Sequence, residues 1–261
     1  MQQHKRAALA ALTRRFLRLD LAARFEGNIA GAAWAILAPL LQLAVFFLVF
    51  VHIFGQRVPG LSGPGVVAFL ALGFWPWFAF SEAVARATTT LPDNAALIAK
   101  VALPREALVL ARVLAPFVLH GVGFVVILAL MPLFGVELEW SGLWLVPLLW
   151  LPLLAMAIGI GLIVAAVQVF VRDLAQVVGH VLQLMFFLTP ILYSRDIVPL
   201  WLRPVLDANP LTGIVTAMRA ALLGGEFPLT PLLVSLGAAV LSMLLGAWLF
   251  RRLDPQFEDY L

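Results

Sequence analysis

The chain has 261 residues, 63% of them hydrophobic and 12% charged, with a net charge of +3 and a mean hydropathy of +1.04. A soluble core of this length needs far less apolar surface, so the composition excludes a soluble enzyme or binding module and predicts one membrane domain over residues 1–261. With 0 Cys no disulfide is available. The pI near 9.9 does not point to nucleic acid, because the basic residues flank apolar runs instead of lining a groove with interleaved aromatics; phospholipid headgroups are the simpler partners.

In chain order, Leu9, Leu12, Phe16 and Leu19 recur at helical spacing while Arg14 and Arg18 fall opposite. That pattern predicts a helix over 5–26 lying along a membrane interface, with a flexible basic leader as the alternative. Asp20 sits near the apolar stripe and interrupts it. Six uncharged runs follow, with predicted spans at 32–54, 66–85, 107–131, 143–168, 174–194 and 228–250. Each reaches about the 20 residues that a bilayer crossing takes, and in lipid such segments must be helices to satisfy their own backbone. The first run is longer than a signal-peptide core, so it reads as an uncleaved anchor.

Two connections are more than loops. Pro92-Asp93-Asn94 before Ala95, Ala96, Leu97 and Ile98 reads as a capped helix over 93–101 with Asp93 or Asn94 as N-cap, closed before Pro104. Residues 197–223 are apolar, yet Pro199, Pro204 and Pro210 cut them into pieces too short to span. Asn209-Pro210 reads as a cap with proline at the first helical position, and Gly224-Gly225 as the stop. Two re-entrant half-helices and an ordinary helical hairpin outside the membrane both fit.

All but Arg57, Arg195, Arg203 and Arg219 of the 17 basic residues lie before the first run or after the second, fourth and sixth. The positive-inside rule then places both termini in the cytoplasm, with Glu137 and Glu139 outside.

The motifs of an enzyme are missing. Lys5 and Lys100 are the only lysines, and neither ends a GxxxxGK[ST] string, so the chain has no P-loop and no ATP site of that kind. There is no HExxH; His4, His52, His120 and His180 are scattered, and no metal or cofactor is expected. His120 and His180 read as packed or hydrogen-bonded helix residues. Only Glu82 and Arg112 approach the hydrocarbon, at a span end or against a neighbouring helix, which disfavours an ion-coupled carrier. A membrane enzyme acting on lipid-linked sugars would need paired acids, and Glu137-x-Glu139 is better explained as a solvated loop. Energy must come from a partner. Aromatic side chains are plentiful: Phe46, Phe50 and Phe54 share one face of the first span beside Phe47 and Trp34, and the fifth carries Phe186, Phe187 and Tyr193. Broad aromatic faces suit a sliding sugar chain, although Trp, Tyr and Phe also collect at lipid interfaces.

Arg24-Phe25-Glu26-Gly27-Asn28 with Gly31, Trp34 and Pro39-Leu40-Leu41 resembles the entry to the first span in permease subunits of ATP-binding-cassette polysaccharide exporters. The likeness continues through Asn94, Leu97, Ile98, Lys100, Pro104 and Arg105, then Val169-Phe170-Val171-Arg172-Asp173, Thr189-Pro190-Ile191-Leu192-Tyr193, and Asn209-Pro210-Leu211 with Arg219. Phe25, Asn28 and Gln168 depart from the Tyr, Ser and Asn common in that family. The resemblance implies an all-α membrane protein with six spans, an interfacial N-terminal helix, two re-entrant helices and a coupling helix, whose Asp93, Asn94, Leu97 and Ile98, with Lys100, Pro104 and Arg105 after them, would dock on and couple to the ATPase. It also implies a homodimer around a central path in the bacterial cytoplasmic membrane, and two separate nucleotide-binding subunits that hold the ATP and Mg. The cargo would be a lipid-linked polysaccharide of the O-antigen type, the Arg172-Asp173 pair favouring O-antigen or teichoic acid over capsule. A drug or small-lipid efflux permease is the neighbouring alternative. Arg14, Arg15, Arg18 and Arg24 are placed to meet the lipid diphosphate or ordinary headgroups.

Overall fold

The computed structural model describes residues 2–24, 31–53, 61 and 63–260, with the side chains of 2–6, 31–36 and 50–52 outside that description. All regular elements among the described residues are helical. Helix α1 (Gln2–Ala23) precedes α2 (Gly31–Phe46), which widens into a π-helical stretch, Phe47–Ile53. Then come α3 (Pro64–Asp93), the short α4 (Ala95–Ile98), α5 (Glu106–Leu130), α6 (Leu145–Gln168), α7 (Leu174–Leu188), α8 (Arg203–Ala208), α9 (Thr212–Leu223), α10 (Leu229–Leu253) and α11 (Phe257–Tyr260).

Among the described residues four helical stretches are long and apolar enough to cross a membrane: Pro64–Asp93, Glu106–Phe134, Leu145–Gln168 and Leu229–Tyr260. Helix α3 is the central post, with Leu70, Ala71, Leu72, Phe74 and Trp75 almost fully buried, and it packs on α5, α6, α7 and α9. Helix α10 lies along α6 and leaves Leu233, Val240, Leu241, Leu244 and Trp248 exposed, an uninterrupted apolar face. The α6–α10 contact is close because both helices bring glycine to it: a Cβ on Gly246 would stand 2.2 Å from the Gly159 carbonyl oxygen.

Several elements differ from the sequence expectation. The predicted span 174–194 is a helix of only 15 residues, Leu174–Leu188, about 22 Å long at 1.5 Å per residue. It stops because Pro190 drives Thr189 into extended geometry (φ −91°, ψ 134°). The second span runs well beyond 66–85: α3 has 30 residues and absorbs the start of the expected polar connection. There the Thr88 and Thr90 hydroxyls donate to the Val84 and Arg86 carbonyls, so these residues are buried without strain on the polar account. The helix expected over 93–101 is accordingly reduced to α4. Neither Asp93 nor Asn94 caps it, since Asp93 accepts from the Thr89 hydroxyl and Asn94 Nδ2 donates back to the Thr90 carbonyl, finishing α3. Pro210 precedes α9 without entering it. The Asn209 side chain instead accepts from the Leu211 N–H in a local turn, and α9 ends at Gly224 with φ +81°.

Helix α1 packs on α5. Its inward face is Leu9, Thr13, Phe16, Leu17 and Asp20, whereas Leu19 of the expected stripe is 57% exposed. The aspartate that spoils the pattern is therefore part of the buried face.

Candidate functional site

Residues from α1, α3 and α5 meet in a network of charges within the bundle. Asp20 accepts from Arg86 at 2.6 Å and lies 3.0 Å from Arg112. Glu82 accepts from Arg24 at 2.6 Å and contacts His120 Nε2 at 2.9 Å. Arg24 also faces Asp20, and Arg86 faces Glu82, each at 3.7 Å across one helical turn. Three guanidinium groups thus share two carboxylates. Sequence reasoning noted Glu82 and Arg112 separately and left Asp20 as a blemish; the i,i+4 spacings Asp20/Arg24 and Glu82/Arg86 were the available signal. Replacing Asp20 with Asn removes the anion that three arginines share, a loss of about 2 kcal/mol for a partly buried pair, or about thirtyfold. Trypsin is expected to cut α1 at Arg14, Arg15 and Arg18 about thirtyfold faster in that variant. An unchanged digestion rate would show that the network does not hold α1.

Of the four arginines read as phosphate ligands, Arg14, Arg15 and Arg18 are exposed on α1, while Arg24 is committed to Glu82 and Asp20. Beside the network a cleft of about 530 Å³ opens between α2, α3, α5 and α7, lined among others by Gln42, Phe78, Ser81, Glu82 and His120. His120 is buried and its ring stacks on Phe78 at 6.0 Å; His180 is exposed on α7.

From Phe78 an aromatic seam continues through the bundle. Phe78 stacks on Phe74 at 5.4 Å, Phe74 on Phe46 at 5.0 Å, and Phe186 packs against Phe46, Phe74 and Trp77 at 5.6–5.9 Å. Phe187 meets Phe186 edge-on and stays 55% exposed. Phe47 turns to another side and lines an apolar cavity with α3 and α5. Tyr193 donates its hydroxyl to the Phe187 carbonyl. Among the aromatics expected along the path, the side chains of Trp34 and Phe50 and the whole of Phe54 lie outside the described residues, as do Phe25 to Asn28.

At the opposite end of α3, separate sequence motifs come together on one arginine. Arg219, 6% exposed, donates from Nε to the Phe69 carbonyl at 3.0 Å and from Nη2 to the Ile191 carbonyl at 2.7 Å. Its Nη1 donates to Pro190, and the guanidinium lies 3.4 Å from the Phe69 ring centre. Asn209 Nδ2 donates to the Thr189 hydroxyl at 2.9 Å. The Thr-Pro-Ile turn, the Asn-Pro turn and α9 are thereby tied to α3. Nearby, Arg195 and Asp207 pair at 2.7 Å on the rim of an open cavity of about 830 Å³.

On the α4 side, Arg105 does not point outward. It donates to the Asp254 carbonyl at 2.8 Å and pairs with the Asp254 and Glu258 carboxylates. Phe257 fills the corner against Phe250 and Phe170, and Tyr260 packs edge-on to Phe170 at 4.8 Å. Ile98 is 7% exposed and belongs to the chain's own core, with Leu97 packed beside it. The open residues here are Pro92, Asp93, Ala96, Ala99, Lys100, Val101, Ala102 and Pro104. Arg172 and Asp173 are exposed at the α6–α7 corner, where Gln168 Nε2 donates to the Arg172 carbonyl. Among the described residues no cluster of His, Asp or Glu is arranged to hold a metal.

A bundle of long apolar helices with a cleft that reaches the Glu82–His120 pair has the architecture of a membrane permease. The chain belongs to the ABC-2 type transporter family, which it matches over residues 8–223. Curated relatives include the O-antigen export system permease protein RfbA of Klebsiella pneumoniae, 26% identical, the alignment covering 93% of this chain and 92% of the relative. RfbA of Myxococcus xanthus is 29% identical over 87% and 86% of the two chains. The polysialic acid transport protein KpsM of Escherichia coli is 26% identical over 80% of each.

Proposed function

We propose that the chain is the membrane-spanning subunit of an exporter that moves a lipid-linked polysaccharide of the O-antigen type across the bacterial cytoplasmic membrane. It acts as a homodimer with two separate subunits that bind and hydrolyse ATP with Mg. The observation that carries this reading is the alignment of nearly the whole chain with O-antigen export permeases. The convergence of the Thr-Pro-Ile and Asn-Pro turns on Arg219 adds to it. KpsM aligns over less of the chain, and the exposed Arg172-Asp173 pair favours the O-antigen branch over capsule. In this reading both termini are cytoplasmic. Helix α2 with its π extension, and α7 with the chain after it, complete six crossings, and α8 and α9 are the re-entrant pair.

Force from the ATPase enters at the α3–α4–α5 corner. Because α3 runs unbroken from that corner past the charge network to the Arg219 brace, a push on α4 moves the central post and α1 as one body. The docking face consists of Ala96, Lys100, Val101 and Pro104, not of Ile98 or Arg105, which are used internally. Two measurements test this. The purified chain alone is expected to hydrolyse no ATP, since it lacks a P-loop, and ATP hydrolysis should appear with the separate subunit. Ala96→Asp and Val101→Asp, each placing a charge in an apolar contact, should then cut ATP-driven export at least tenfold while the chain inserts normally. Hydrolysis by the chain alone, or full export by both variants, would refute the assignment.

A further inference from the structure

At the α4 end of the bundle the chain turns twice between long helices, from α4 into α5 at Pro104-Arg105 and from α6 into α7 over residues 169–173. The segment 254–260, a 3-10 turn followed by α11, reaches both turns. Toward the first, the Asp254 and Glu258 carboxylates pair with Arg105, whose Nη1 also donates to the Asp254 carbonyl at 2.8 Å. Toward the second, the Phe257 ring lies 6.1 Å from that of Phe170, and Tyr260 meets Phe170 edge-on at 4.8 Å. Asp254 and Glu258 stand four residues apart and so share one side of the segment, with Phe257 turned toward the other corner.

The two sides of the segment do different work. Phe257 is fully buried against Phe250, itself fully buried at the end of α10, and this apolar contact supplies the grip. The Glu258 side chain is 71% exposed, and an ion pair with such a partner adds little to stability because water already serves the carboxylate. What the Arg105 guanidinium adds is direction: three acceptors around one planar fork fix where the α4–α5 turn stands relative to the segment. Arg251 and Glu106, at 3.3 Å, tie α10 to the start of α5 beside it. Of the two helices that meet at the second corner, α6 is fixed by its glycine contact with α10, whereas α7 buries only Val178 completely. Helix α7 begins four residues after Phe170 and is the one free to follow that corner.

We propose that the segment 254–260 is a strap that joins the α4–α5 turn to the α6–α7 corner, with Arg105, Asp254 and Glu258 as positioning residues, so that a displacement of α4 by the ATPase moves the start of α7 together with α3. The inference rests on the ATP-driven export reading and adds to it the path by which force reaches the second corner. Packed rings and a multiply bonded guanidinium transmit a rigid-body shift, since neither contact stretches before it breaks. Cutting the Arg105 tie leaves the strap seated on Phe250 and Phe170 but disconnects it from α4.

Because the chain has no cysteine, the tie can be cut and remade chemically in the complete transporter in inverted membrane vesicles. In Arg105→Cys with Glu258→Cys, glycan exported per ATP hydrolysed should fall at least fivefold, with the level of the chain and the rate of hydrolysis within twofold of the unaltered complex. Bridging the two thiols with a short, disulfide-containing bismaleimide should restore the ratio, and reducing the bridge should abolish it again; the two single-cysteine variants control for thiols on the ATPase subunit. An unchanged ratio in the double variant, or a fallen ratio that bridging does not lift, overturns the proposal and leaves the export reading intact. Dissociation of the ATPase subunit would mean that these residues dock it directly, which overturns the strap as well. Should the double variant fail to accumulate, Glu258→Gln, which leaves Asp254 on Arg105, should still lower the ratio at least twofold, and an unchanged ratio there would refute the strap. If the unaltered complex neither hydrolyses ATP nor moves glycan, the export reading fails first and the strap with it.

Discussion

Gly246→Val is expected to leave almost no folded chain, whereas Gly237→Val, nine residues earlier on the same helix, should be tolerated at normal levels. The added Cβ at 246 would lie 2.2 Å from the Gly159 carbonyl oxygen, and a Cβ at 159 would in turn lie 2.3–2.4 Å from the backbone of Ser242 and Met243. These are backbone atoms, so no side-chain rotation relieves the overlap, and α6 and α10 must separate. Without a hydrophobic drive between helices in lipid, close packing is what holds such a pair, and it decays within about an ångström of separation. A cost of about 3 kcal/mol, the upper end for overpacking, corresponds to more than a hundredfold shift in the folded population. A Cβ at Gly237 meets nothing within 4 Å, so it controls for the loss of glycine itself. The measurement is the yield of monodisperse protein in mild detergent with its thermal midpoint; equal yields for the two variants would mean that α6 and α10 are not packed through glycine.

Arg219→Leu and Arg219→Lys are both expected to collapse the region between α3 and α9, and lysine should not rescue. The guanidinium serves carbonyls on two elements at once, Phe69 on α3 and Pro190 with Ile191 in the turn after α7, while its plane rests on the Phe69 ring. Leucine leaves these acceptors without donors at about 1–3 kcal/mol each where they stay buried. Lysine restores the charge but brings a compact ammonium that cannot span the same acceptors or stack. Gly73→Ala should act at the same place, since its Cβ would stand 2.6 Å from Arg219 Nη2. The expected readout is loss of protease-resistant α8–α9 with little change at the α1 end. A lysine variant of unaltered thermal midpoint would argue that the guanidinium is incidental to the fold.

The helical class, the membrane setting and the place of the longest apolar segments were legible in the 261 residues because hydropathy is a local sum that survives without neighbours. Leu145–Gln168 and Leu229–Leu253 therefore fall close to the expected 143–168 and 228–250. Proline signals were legible too, but only as breaks: Pro190 ended α7 early, while Pro76 and Pro92 were absorbed within α3. Whether a proline breaks a helix or rides inside it depends on what satisfies the freed carbonyl, and single residues do not carry that information.

What only the tertiary structure decided is the use made of each polar residue. In the linear chain Asp20 is an interruption, Arg24 a phosphate ligand, Ile98 a docking residue, Arg105 a coupling residue and Arg219 a motif letter. In three dimensions Asp20 and Arg24 close a network with Glu82, Arg86, Arg112 and His120, Ile98 is core, Arg105 holds Asp254 and Glu258, and Arg219 joins α3 to the turn after α7. The physical reason is range. Apolar side chains need only to be out of water, which many arrangements satisfy, whereas a buried charge or hydrogen-bond donor needs one partner at about 3 Å, and that partner stands 58 residues from Arg24 and 150 from Arg219.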